Sequence, residues 1–250
     1  MQFVLSPNLP TKNIKVVLLN GRANTKILKA LAKQGIEAVL VPPCEDLLEP
    51  VRSHPDMLCH HLGGDLIVIH KKIIDVIGSK LKKLGFVVIQ SDFNLKPYYP
   101  NDCALNIARI SDKILYNLNI IDENIKTYIE EKGIKKLKIN QGYAKCSVCI
   151  VSDNSIITSD NGIAQVAMHN GIDVLLIRSG YINLPGYNCG FIGGTSGKIA
   201  IDKLCFAGNI KLHPDYNIII NFIHKQGVEV VCLTNDVLED IGSILPLVEE

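Results

Sequence analysis

"GFIGGTSGKIAI", residues 190–201, separates two kinds of fold. As a phosphate-cradling loop it would set a nucleotide against Lys198; as a turn between two strands it sends the search for chemistry elsewhere. A P-loop requires a glycine, four residues, then Gly-Lys followed by Ser or Thr. Here Gly197-Lys198 precedes Ile199, and Ile192 stands where the first glycine belongs. A helix should also follow, so that its first amides face the anion, yet Lys198–Leu204 reads as a strand. The stretch is therefore expected to bind no nucleotide and to form a hairpin whose turn is Ser196-Gly197.

The rest of the chain supplies the context. One helix-to-strand joint recurs five times: "LAKQGIEAVLV" (31–41), "LKKLGFVVI" (81–89), "IEEKGIKKLKI" (129–139), "AMHNGIDVLLI" (167–177) and "IHKQGVEVVCL" (223–233). Each amphipathic helix ends at a glycine, Gly35, Gly85, Gly133, Gly171 or Gly227, which takes the left-handed cap conformation without steric cost. A β-branched or aromatic run follows, as a buried strand requires.

The segments ahead of these helices repeat as well. Gly63-Gly64-Asp65, Ser111-Asp112, Ser152-Asp153-Asn154 and Ser196-Gly197 each read as a tight turn between two strands. A looser version opens the chain, with "FVLS", Pro7 to Pro10 and then "IKVVLLN". The unit is strand, strand, helix, strand, at approximately 1–42, 52–90, 101–140, 143–178 and 187–233, with a closing helix expected at 235–248. A doubly wound nucleotide fold would alternate single strands with helices instead. No terminal unit resembles the polar cap of an open array, so closure into a ring is favoured. The expectation is a single-domain α/β protein, a five-fold pseudosymmetric α/β propeller.

Composition removes several classes of function. The 250 residues carry a net charge of +1, without the basic excess of a nucleic-acid or anionic-membrane binder. No apolar run approaches a membrane span, and the opening "MQFVLSPNLP" lacks the features of a signal peptide. Eight cysteines without a secretory signal suggest reduced thiols and a cytoplasmic protein. Cys146 and Cys149 form one C-x-x-C without a second pair and read as buried strand cysteines. Cys59, His60 and His61 are adjacent on a strand and point to alternate faces, so no metal site is expected, although His60 or His61 is able to reach the ring's channel. No cofactor fingerprint is present. Asp160 reads as the cap of the helix that begins near Asn161-Gly162.

Five such units around a pseudo-fivefold axis resemble the pentein fold of the guanidino-group-modifying enzymes. "HPDMLCHHLGGD" (54–65), "CSVCIVSDNSIITSDNGI" (146–163) and "LPGYNCGFIGG" (184–194) look like an uncharacterised bacterial family of that fold. The resemblance implies a small-molecule substrate in a central channel at the start of the units. It also implies a cysteine nucleophile opening the last unit, a histidine in a His-x-Asp or His-x-Glu motif as proton shuttle, and carboxylates gripping the guanidinium. These types suit the chemistry, since a thiolate is a strong nucleophile, histidine titrates near neutrality, and carboxylates match a planar guanidinium fork.

On the quoted motifs Cys189 takes the nucleophile's place, and His54 and Asp56 have the His-x-Asp spacing. They lie in the second unit, however, whereas the active enzymes place that histidine just before the cysteine-bearing unit. Asp102, Tyr143, Lys145 and Asn188 stand at the other unit entries and, with His60, are the expected substrate contacts. Two functions follow from the resemblance: a cofactor-free hydrolase or transferase acting on a guanidino, amidino or related C–N group, and a catalytically silent binding protein for a small molecule, protein or ribonucleoprotein. No feature assigns an oligomeric state.

Overall fold

The computed structural model describes residues 1–117 and 119–250. Its elements run β1 (Gln2–Phe3), β2 (Ile14–Asn20), α1 (Thr25–Lys33), β3 (Glu37–Val41), α2 (Pro55–Leu58), β4 (Cys59–Gly63), β5 (Leu66–Ile69), α3 (Ile74–Lys83) and β6 (Val87–Gln90). Next come β7 (Ala108–Ile110), β8 (Lys113–Tyr116), α4 (Glu123–Glu131), β9 (Lys135–Lys138), α5 (Ala144–Ser147), β10 (Cys149–Ser152), β11 (Ser155–Thr158), α6 (Asn161–His169) and β12 (Asp173–Leu176). The chain finishes with β13 (Ser196–Ala200), β14 (Lys203–Phe206), α7 (Tyr216–Lys225), β15 (Glu229–Cys232) and β16 (Leu245–Glu249). The strands form five small sheets. In four of them the first strand pairs antiparallel with the second, a helix follows, and the third strand returns parallel to the second.

The joints explain this order. Each long helix buries an i, i+4 pair: Ile27/Leu31, Ile77/Leu81, Ile125/Ile129, Ile163/Ala167 and Ile219/Ile223. That spacing puts both side chains on one face, and burying each large one stabilises the fold by roughly 1.5–3 kcal/mol. The five glycines that follow have φ between +62° and +98°. The next residue returns its N–H to the carbonyl of the pair's second member, as in Ile36 to Leu31 at 3.1 Å and Phe86 to Leu81 at 3.0 Å. This is the hydrogen bond of a glycine C-cap, and it turns the chain directly into the third strand. At the other helix ends, the Asn24, Asp122 and Asp160 side chains accept from Lys26, Asn124 and Ile163 N–H groups.

Three expectations differ from the structure. Residues 235–248 form no helix: Gly242 and Ser243 both have left-handed φ, near +74° and +73°, and Pro246 has no N–H to donate. The chain instead ends in β16, which inserts between β1 and β2, so the opening segment pairs with the last strand and not with β2. The hairpin of the fifth unit turns at Ile201-Asp202, while Ser196 and Gly197 lie inside β13. Gly197 is required there because a Cβ would lie 2.0 Å from the Ile244 carbonyl oxygen. Lys198 donates to the Val151 and Ile201 carbonyls at 3.0 and 2.6 Å, so its ammonium is already engaged.

Four of the sheets thus begin beside a short turn: α2 before β4, α5 before β10, Gly193–Thr195 before β13, and Gly242–Ser243 before β16. These turns pack on one another. A Cβ on Gly193 would lie 2.3–2.6 Å from the carbonyls of Lys145, Cys146 and Val148, and one on Gly242 would lie 2.3 Å from His54 Cβ. Among the described residues no helix is long and apolar enough to cross a membrane.

Candidate active site

Asp56 and Lys145 are the second residues of the two short helices α2 and α5, and both are buried. They meet at Ser243, whose hydroxyl accepts from Lys145 Nζ at 2.9 Å and donates to Asp56 Oδ2 at 2.6 Å. The Cys146 thiol lies 3.1 Å from the same carboxylate oxygen and donates to it. Asn106 completes the seat: its Nδ2 donates to Cys146 Sγ at 2.9 Å, and its Oδ1 accepts from the backbone N–H groups of Lys145 and Cys146. Asp56 Oδ1 has no hydrogen-bond partner among the described residues.

Burial sets the ionisation. It pushes the Asp56 carboxyl up, against the pull of His54 and Lys145, and it pushes the Lys145 ammonium down, with Asp56 opposing. The Cys146 thiol is pushed up by burial and further by the Asp56 charge, so the resting sulfur is protonated.

His54 precedes Pro55, which occupies the first turn of α2, where a missing N–H costs nothing. Its ring is 2% exposed, Nδ1 has no partner, and Asp240 Oδ1 lies 3.9 Å away. Burial lowers the imidazole to about 4, so it is neutral at pH 7. Asp240 is raised by burial to about 6, opposed by the N–H groups of Phe191 and Gly242, which donate to it at 2.9 and 3.0 Å. The glycine-rich stretch makes room for it: a Cβ on Gly194 would lie 1.9 Å from Asp240 Oδ1. Donor atoms of His54, Cys146 and Asp240 all lie within 4.8 Å of one another.

A cavity of about 120 Å³ opens on these groups, and His54, Tyr143, Cys146, Tyr187, Cys189 and Asp240 line it. Cys189 and His54 therefore face one space, together with a second thiol and a carboxylate that the spacing of motifs did not single out. A second cavity of about 120 Å³, polar where the first is apolar, shares the His54–Asp240 wall and is also lined by Arg22, Glu49 and Glu239.

Other expected contacts lie elsewhere. Asp102 sits behind the cavity, where its Oδ2 accepts from the Tyr143 hydroxyl at 2.6 Å. Lys145 turns toward Ser243 and, with Asp56 and His60, lines a separate cavity of about 20 Å³, about one water in size. His60 is thus apart from His54, and burial lowers it to about 3. Asn188 is exposed and outside the cavity lining. Cys189 belongs to the loop before the Gly193–Thr195 turn, not to the turn equivalent to α5 that opens the last sheet. Asp240, Ser243 and Asn106 were missed, the first two because residues 235–248 read as a helix.

Residues 18–245 match the model of a family of unknown function. The chain belongs to that family, DUF6873. No curated protein sequence matches this DUF6873 member. Solved structures do share its fold. Agmatine deiminase from C. jejuni has a TM-score of 0.59 at 11% identity, over 100% of this chain and 96% of that one. An inosamine-phosphate amidinotransferase from Streptomyces griseus gives 0.59 at 10% identity, over 96% and 94% of the two chains. A dimethylarginine dimethylaminohydrolase gives 0.54 at 10% identity, over 90% and 92%. These are pentein, or guanidino-group-modifying-enzyme, folds, and the DUF6873 chain has that mixed α/β fold.

Proposed function

We propose that this DUF6873 protein is a hydrolase or transferase acting on the central carbon of a guanidino or amidino group through a cysteine nucleophile, with its five sheets set as blades about a central channel. One observation carries the reading: two thiols, an unpartnered neutral imidazole and a carboxylate converge on one cavity. The names of the similar structures, a deiminase, an amidinotransferase and a dimethylaminohydrolase, agree with that chemistry.

Cys146 is the better-seated nucleophile because its sulfur lies within 4.8 Å of donor atoms of both His54 and Asp240. A guanidinium drawn to the Asp240 carboxylate brings a positive charge next to a thiol that burial keeps protonated, which favours ionisation. The sulfur attacks the guanidinium carbon while its proton passes to His54. The C–N bond then breaks as the leaving amine takes a proton from His54, and an S-amidino enzyme remains. Attack by water or a second amine, deprotonated by His54, releases the product and restores the thiol.

The second reading, a binding protein without catalysis, draws on the depth of the thiol, since Cys146 is 4% exposed. Alkylation by 2-chloroacetamidine, resolved by peptide mass spectrometry, separates the two. The enzyme reading expects modification of Cys146 well ahead of the buried Cys149 and Cys205, slowed at least tenfold in a folded His54→Ala variant. Selective labelling of Cys189 that survives Cys146→Ser would move the nucleophile to Cys189. Labelling confined to the exposed Cys232 would leave the binding reading standing.

A further inference from the structure

Outside the candidate active site, one cluster brings together a thiol, an imidazole and a carboxylate: Cys44, Asp46 and His70, whose donor atoms all lie within 4.8 Å of one another. Cys44 and Asp46 belong to the turn that follows β3, and His70 is the first residue after β5. The turn is pinned by Cys44 N–H to the Arg52 carbonyl at 2.8 Å, and His70 by its N–H to the Leu58 carbonyl at 2.8 Å. Backbone bonds thus hold the donors in place from two directions.

We propose that Cys44, Asp46 and His70 form a zinc site that clasps the linker carrying His54 to the end of β5. Sulfur, nitrogen and oxygen donors suit Zn²⁺, and a tetrahedral ion bound at its usual lengths sets donor atoms roughly 3.4–3.6 Å apart. Reaching that spacing from within 4.8 Å therefore takes side-chain shifts of about an ångström, with His70 Nε2 and Asp46 Oδ2, 2.9 Å apart, moving slightly apart to admit the ion. Thiolate and carboxylate balance the two charges of the ion.

Three further observations agree. The His70 ring is fully buried and its Nδ1 has no partner, while Nε2 lies 2.9 Å from Asp46 Oδ2. Nε2 thus faces the carboxylate that shares the ion, and it is the nitrogen that binds. The Asp46 carboxylate already holds a cation: the ammonium of Lys72, half exposed, is 3.1 Å from Oδ1 and is free to swing into water. Finally, Cys44 is buried and lines none of the cavities described above, which argues against a nucleophile reaching a substrate there. Lys71, Lys72 and Glu45 are the charges beside the cluster, and Lys72 is the one the ion displaces.

The linker from Cys44 to Ser53 runs straight into His54, and Cys44, Leu47 and Val51 pack in one core with Met57. An ion at its start fixes where the imidazole enters the active-site cavity.

The test uses the full chain, stripped of metal with a chelator and titrated with Co²⁺, whose thiolate complexes give a strong near-ultraviolet charge-transfer band. One equivalent should produce the band and one equivalent of Zn²⁺ should bleach it. Cys44→Ser should abolish it, Asp46→Asn should weaken binding at least tenfold, and Lys72→Ala should tighten binding by removing the competing cation. Cys146→Ser and Cys189→Ser should leave it unchanged. No band in the wild type, a band that survives Cys44→Ser, or one lost only with Cys146 overturns the proposal. Should Cys44→Ser fail to fold, the opposite effects of Asp46→Asn and Lys72→Ala, both at exposed or half-buried positions, still decide it.

Discussion

Replacing Gly194 by alanine probes how closely the glycine-rich turn is fitted to Asp240. The added Cβ would lie 1.9 Å from Oδ1, 2.3 Å from Cγ and 2.6 Å from Oδ2 of that carboxylate. Real Cβ contacts stay above 3.0 Å, so the carboxylate must retreat by more than an ångström. Retreat breaks the bonds it accepts at 2.9 Å from Phe191 and 3.0 Å from Gly242. Hydrogen bonds to a charged group contribute about 1.5–3 kcal/mol each, and overpacking adds about 1–3 kcal/mol. The expected loss is therefore about 4 kcal/mol or more, a large part of a typical domain's stability. Asp240→Ala vacates the space that the new methyl group needs, so the Gly194→Ala/Asp240→Ala double variant should be scarcely less stable than Asp240→Ala alone. Urea unfolding at pH 7, followed by far-ultraviolet circular dichroism, gives the cycle, with an expected coupling above 2 kcal/mol. A Gly194→Ala variant within 1 kcal/mol of wild type, or additive effects, would refute the fit of turn to carboxylate.

Acid should destabilise the fold through its buried histidines. His61 falls from 6.5 to about 4 through burial, so its contribution is complete above pH 6.5 and is lost as pH drops toward 4, roughly 3 kcal/mol in all. His54 and His60 act in the same direction, whereas Asp240, raised from 3.8 to about 6, opposes them between those values because its folded form holds the proton. Unfolding midpoints at pH 7, 5.5 and 4.5 should fall steadily, and a folded His61→Gln variant should flatten that slope by about one proton; an unchanged slope would rule His61 out as a contributor. Gly171→Val should cost about 1 kcal/mol or more, because the position has φ near +75° although nothing lies within 4 Å of the added Cβ. A midpoint equal to wild type would remove the cap from the account of the joint.

Local features were legible in the sequence and long-range ones were not. The five glycine joints depend on a helix, its cap and the next strand, all within about a dozen residues, and they stand where the spacing placed them. The turn at Gly63-Gly64-Asp65 was readable for the same reason. His54, Asp56 and Lys145 stand out as candidates in the sequence because they occupy equivalent places before β4 and β10. Asp240 and Ser243 were hidden because their position depends on β16 pairing with β2, more than 220 residues away in sequence. Cys146 reads as a strand cysteine in the sequence but lies in α5, and only the arrival of His54 and Asp240 from distant segments gives it titratable neighbours. The glycines of "GFIGGTSG" were assigned to a hairpin, whereas their crowding against Asp240 and Ile244 appears only in three dimensions.

Strand β16 has a consequence for the order of synthesis. Until Leu245–Glu249 emerge, the edge of β2 facing away from β3 has no partner, and its Ile14, Val16 and Leu18 belong to a strand whose N–H and C=O groups lie open to other chains. Glu249 also accepts from Thr11, Lys12 and Gln2, so these three residues lose their shared acceptor until the final strand is made. The first sheet is thus the last that is able to close, and losing residues 245–250 would leave a chain with four intact sheets and one adhesive edge.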